Sequence, residues 1–145
     1  YEQSAQATMV GAMDYVEHLR NSEAYDNTVL IVMSDHGYNG SLGQSGEATW
    51  MRQCALLLIK GRNEHHDTMQ ISQAPISFED LQKAYVRLLD GRQSDEVFDW
   101  KEGDARERRF LRYSFLDDDH MQEYMQTGYA SDMDTMIPTG REYNR

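Results

Sequence analysis

With 145 residues, 39% of them hydrophobic and 27% charged, the chain has the length and composition of one globular domain, which excludes fibrous and collagen-like classes. Its 14 basic residues stand against 25 acidic ones, for a net charge of -11. That balance argues against an electrostatic footprint for DNA, RNA or anionic lipid and leaves room for bound cations.

The single cysteine, Cys54, excludes an internal disulfide and a cysteine-rich zinc cluster. No apolar run approaches the length of a membrane span, and no signal peptide opens the sequence. The first residue is Tyr1 rather than Met, so a cut piece of a longer protein is expected.

In chain order, Ser4 to Asn21 reads as a helix, with Met9, Met13, Val16 and Leu19 at helical spacing and Arg20 near its C-terminal end. The polar stretch from Asn21 to Asn27 reads as a turn. Thr28 to Met33 is a continuous apolar, β-branched run, which predicts a buried strand of the parallel type. It runs into Ser34-Asp35-His36-Gly37 and then a glycine-rich loop from Tyr38 to Gly46. Cys54 to Ile59 predicts a second buried strand, and Gly61 to Gln73 a polar loop carrying His65 and His66. Ser77 reads as a helix N-cap, with Asp80 completing an acidic variant of the capping box. The helix that follows presents Leu81, Tyr85, Leu88 and Leu89 and stops at Gly91.

Beyond Gln93 the character changes. Arg108 to Leu116 alternates in part and predicts an antiparallel edge strand, Asp117 to His120 a turn, and Pro138-Thr139-Gly140 a second turn. The expected architecture is α/β: a layered sheet with helices over residues 1–92, followed by a small C-terminal α+β appendage over 93–145.

Chemistry concentrates where the first strand ends. Asp35 and His36 are both good ligand types for zinc or manganese, and Gly37 permits the turn that lets neighbours share one ion. In open α/β sheets, ligands bind beyond the carboxyl ends of strands. From spacing alone, a loop that caps the sheet by local hydrogen bonds is the commoner outcome.

The run "YDNTVLIVMSDHG", Tyr25 to Gly37, resembles the second metal-binding segment of the sulfatase and alkaline phosphatase superfamily. "CALLLIKG" (Cys54 to Gly61), "SQAPISFEDLQKAYVRLLDG" (Ser72 to Gly91) and the tail "TGREY" are similar to later segments of the same family, in order. The resemblance implies a partial alkaline-phosphatase-like layered fold. It implies Asp35 and His36 as metal ligands, with manganese, zinc or calcium as the divalent ion of the complete enzyme. The substrate would be a sulfate or phosphate ester, with hydrolysis or phosphoglycerol-type transfer as the reaction. The nucleophile would lie in an N-terminal half of the parent, so no catalytic residue is assigned here and the isolated fragment would be inactive. The tail and the loop lean toward the lipoteichoic-acid-synthase-like branch, which implies a bacterial, membrane-anchored parent with an extracytoplasmic domain; a cytoplasmic location is the alternative. Cys54 does not stand in for the nucleophile, because no Cys-X-Pro-X-Arg pattern follows it. The loop from Tyr38 to Trp50 lacks the histidine that many relatives carry there; Gln44 or Glu47 could face the site, with a solvated loop as the plainer reading.

Two other functional classes compete with the enzyme fragment: a non-catalytic binding or assembly module with a sulfatase-like fold, and a pseudo-enzyme whose nucleophile is lost. Among partners, nucleic acid is excluded, the missing N-terminal half is expected, and self-association would follow from a bare sheet edge. Elsewhere the plainer readings prevail. His65 and His66 belong to a solvated loop. Asp117 to His120 lacks the spacing of an EF-hand. The arginines 106, 108, 109 and 112 pair with Glu102, Asp104 and Glu107 around them rather than with an anionic headgroup. The nine Met residues fill the core.

Overall fold

The computed structural model describes residues 2–37, 54–114, 117–129, 132 and 135–144. The glycine-rich loop and its Gln44 and Glu47 lie outside them. The chain is mixed α/β, with two helices and two small antiparallel sheets among the described residues. In order they are α1 (Glu2–Asn21), β1 (Leu30–Met33), β2 (Leu57–Lys60), α2 (Phe78–Leu89), β3 (Arg108–Ser114), β4 (Asp117–Gln126) and β5 (Met136–Asn144). No helix among the described residues is long and apolar enough to cross a membrane. Two compact units result. One takes in Tyr1–Ser34, Leu56–Gln70 and Leu81–Phe98; the other takes in Asp35–Ala55, Ile71–Asp80 and Asp99–Arg145.

In the first unit, α1 carries Glu2 in its first turn and His18 and Arg20 in its last, which complements the helix dipole. It closes with the N–H of Glu23 on the carbonyl of Arg20 and the N–H of Ala24 on that of Leu19. This is a Schellman stop in which Glu23 holds a left-handed φ of 58° without being glycine. Only Val16 of α1 is buried.

The strands β1 and β2 pair antiparallel, with Ile31 opposite Ile59 and Leu30 opposite Lys60. This corrects the parallel-type expectation. A parallel sheet needs both faces covered, whereas none of these eight residues is fully buried. Ile31 and Ile59, with Val29, pack on the cluster of Ala84, Leu88 and Val97, and Tyr85 and Phe98 close around it. The second strand also starts later than expected, at Leu57 rather than Cys54.

The capping box at α2 forms as expected: the N–H of Ser77 donates to Asp80 Oδ2 at 2.8 Å. At its other end Gly91 has φ 88°. Its N–H reaches the carbonyl of Leu88, and that of Arg92 reaches Arg87, so the stop is a second Schellman motif.

In the second unit, β3, β4 and β5 form an antiparallel meander in that order. Asp117 to His120 is therefore the start of β4 and not a turn, because it pairs with β3 on one side and β5 on the other. The triplet Pro138-Thr139-Gly140 likewise lies inside β5. Gln122 pairs with Glu142 and Tyr124 with Pro138, so Thr139, Gly140 and Arg141 together oppose the single residue Glu123. Gly140 takes a φ of 78° in this bulge. The turn chemistry was legible, but it bends a strand instead of ending one. Among the described residues beyond 93 the helices and strands are β3, β4 and β5 alone.

Candidate functional site

Asp35 and His36 follow β1 by two and three positions and stand on a bend. The N–H of His36 donates to Asp35 Oδ1 at 3.0 Å. His36 Nδ1 lies 2.6 Å from the carbonyl of Gly37. A carbonyl only accepts, so Nδ1 is the donor of this pair. Nε2 lies 3.6 Å from Asp35 Oδ2, with the Asp35 side chain 88% exposed and that of His36 40%. The structure thus brings the two expected ligand atoms together on an open surface. They supply two donors where a tetrahedral ion takes four. Among the described residues no group of three or more His, Cys, Asp or Glu gathers to add to them. The resemblance expects these two ligands from this chain and the remainder from an N-terminal half of the parent.

A polar groove of about 460 Å³ opens at the C-terminal end of α1, lined by Arg20, Glu23, Tyr25, Asp26 and His65. The loop after β2 reaches it through two contacts with Asp26. The N–H of Asn63, at φ 54°, donates to the Asp26 carbonyl at 2.7 Å, and His65 Nε2 lies 3.2 Å from Asp26 Oδ1. The Tyr25 ring carries two cations, the Arg20 guanidinium at 4.8 Å and the Lys60 ammonium at 4.2 Å from its centre. Lys60 also donates to the carbonyls of Tyr25 and Thr28. The sequence alone assigns Tyr25, Asp26 and Lys60 no role of their own in a groove, and Lys60 reaches Tyr25 across 35 residues.

Beside the groove, His66 turns the other way, its Nε2 2.9 Å from Glu64 Oε1. The two neighbouring histidines therefore point apart, as an extended loop requires. Glu64 is buried. It accepts from the N–H of Gly61 at 2.5 Å, the N–H of Ser94 at 3.2 Å, and the Ser94 hydroxyl. Burial alone would raise its pKa. The hydrogen bonds from the Ser94 hydroxyl, His66 and the two backbone N–H groups outweigh that and hold it at about 2.

In the other unit Glu123 is buried in the β5 bulge. It accepts from Thr139 Oγ1 at 2.8 Å, Arg109 Nη1 at 2.9 Å and the Tyr143 hydroxyl at 3.1 Å. The Thr139 hydrogen bond leads in pulling its pKa below the ordinary carboxylate value. Burial opposes this, and Tyr143, Arg109 and Arg141 reinforce it. The arginines near 108 find acids, but not only the local ones expected. Arg109 pairs with Glu107 and Glu123. Arg106 pairs with Glu79 and Asp80, lies over the Trp100 ring 4.7 Å from its centre, and donates to the Pro75 carbonyl at 3.0 Å.

No family model matches the chain, and no solved structure does. A curated relative is the hybrid PKS-NRPS synthetase pvhA of Talaromyces variabilis, 27% identical over 99 residues, or 68% of this chain. The chain spans about 2% of that relative's length. This overturns the functional expectation built on the sulfatase resemblance, a fragment of a sulfuric-ester hydrolase or phosphoryl transferase or a module of that fold: the similar protein is a synthetase. At the strand end, Asp35, His36 and Gly37 close a bend on one another.

Proposed function

We propose that the chain is a structural segment of a large modular synthetase. The observation that carries this reading is the similarity to the hybrid PKS-NRPS synthetase, which takes in 68% of the chain and 2% of the relative. Two features of the structure support it. The charged groups that would be candidates for chemistry hold loops together: Glu64 ties the β2 exit to Ser94, and Glu123 fills the bulge of β5. The helix α1 also offers more apolar surface than it buries. Val10, Met13 and Tyr15 are 60%, 56% and 58% exposed along a helix with one buried residue. Such a helix draws little stability from its own unit and gains it by packing on further protein.

Amide hydrogen exchange compared between this chain alone and the same segment within a full-length synthetase tests the reading. In isolation the amides of residues 5–14 exchange close to the rate of an unprotected helix. Within the synthetase they slow by about tenfold or more, as packed helices do. Equal rates in the two contexts contradict the proposal.

A further inference from the structure

The groove at the C-terminal end of α1 lies wholly within the first unit and opens to solvent, with the side chains of Asp26 and His65 58% and 63% exposed. Its wall carries both signs of charge. Arg20 supplies a guanidinium, and Glu23 and Asp26 supply two carboxylates. The N–H of Glu23 donates to the carbonyl of Arg20 at 3.3 Å, so opposite charges leave the backbone from neighbouring positions at one helix end.

These groups are held from behind. The Arg20 guanidinium lies over the Tyr25 ring, 4.8 Å from its centre, and contact through its face leaves the N–H groups of its edge to donate. Tyr25 is fixed in turn by Lys60, whose ammonium sits 4.2 Å from the centre of the same ring and donates to the carbonyls of Tyr25 and Thr28. On the other wall the N–H of Asn63 holds the Asp26 carbonyl at 2.7 Å. His65 engages Asp26 Oδ1, and Oδ2 is a second acceptor. Glu23 enters the groove from a left-handed φ of 58°, where glycine is the unstrained residue. Backbone strain of that kind clusters at ligand clamps.

We propose that this groove binds a small zwitterion of the α-amino-acid type. Its carboxylate takes the edge of the Arg20 guanidinium, and its ammonium donates to Glu23 and Asp26. A ligand of one sign fits less well, since an anion meets the two carboxylates and a cation meets the guanidinium. The short spacing of the wall's charges favours an ammonium and a carboxylate on a single carbon over a ligand that carries them far apart. The groove volume of about 460 Å³ leaves room for a side chain beyond those two groups.

The test is amide nuclear magnetic resonance of the ¹⁵N-labelled 145-residue chain, titrated with L-alanine. N-acetyl-L-alanine, which lacks the ammonium, and L-alaninamide, which lacks the carboxylate, form parallel arms at matched ionic strength. The expected result is that amides of residues 20–26 and 61–65 move saturably with L-alanine and with neither analogue. Saturation is lost in Arg20→Gln and in Glu23→Gln, and kept in Glu17→Gln, which removes a carboxylate of α1 outside the groove. All three side chains are exposed, and unchanged amide shifts in α2 show that each variant folds. The proposal is overturned if no amide moves, if either analogue saturates the same amides, if Arg20→Gln or Glu23→Gln binds L-alanine as the unsubstituted chain does, or if Glu17→Gln abolishes the response equally.

Discussion

Glu64 shows how one buried carboxylate organises a loop. Its folded pKa of about 2 lies below the ordinary 4.5, so its stabilisation is complete above about pH 4.5 and is lost as pH falls toward 2. The shift corresponds to roughly 3 kcal/mol between those limits. In urea titrations, Glu64→Gln is expected to lose about 2–3 kcal/mol at pH 7 and to flatten the stability profile between pH 5 and pH 2. An unchanged acid limb in the variant would place that titration elsewhere. Little of this was legible in the sequence. Glu64 sat beside two histidines and looked solvated, while its strongest partner, Ser94, is 30 residues away. Asp35 and His36 were legible as a pair of donors at a strand end, because their contacts are with immediate neighbours.

At the scale of elements, the local signals that start and stop α2 were read well, while the turn signals at Asp117 and Pro138 and the long-range pairing were not. Ser77 with Asp80 and the stop at Gly91 depend on residues a few positions apart, and both form as the sequence indicates. The direction of β1 against β2 depends on 20-odd intervening residues that no periodicity describes. The two α-helix stops differ in a testable way. Gly91 adopts its left-handed φ freely, whereas Glu23 adopts one that disfavours a side chain. Glu23→Gly is expected to stabilise the chain by about 0.5–1 kcal/mol, seen as a raised thermal midpoint. A lowered midpoint would mean that the Glu23 side chain contributes more to the groove than its backbone costs. In α2, Leu88 is fully enclosed with Ala84 and Val97. Leu88→Ala is expected to cost about 2–5 kcal/mol in denaturant unfolding. A loss under 1 kcal/mol would show that the cluster is not the core of its unit.

For the molecule as a whole, the net charge of -11 and the exposed apolar side chains of α1 pull in different directions. Charge keeps copies apart, while Val10, Met13 and Tyr15 invite cover. Met13→Glu is expected to leave the stability of the isolated chain within about 0.5 kcal/mol, because a mostly exposed side chain holds little of the fold. The same substitution in a full-length synthetase is expected to release α1 to rapid amide exchange. Whole-molecule function was the least legible level. The relative it resembles is matched over only about 2% of its length, so under the proposed reading the segment's role would be set by protein outside this sequence.

The most direct measurement is product formation by the Talaromyces synthetase after its matching 99-residue segment is exchanged for the corresponding residues of this chain. A flexible linker of equal length serves as the comparison. The expected result is retained synthesis with the exchange and loss with the linker. Equal synthesis from both, or equal loss with the exchanged segment folded, would contradict a structural role in such a synthetase.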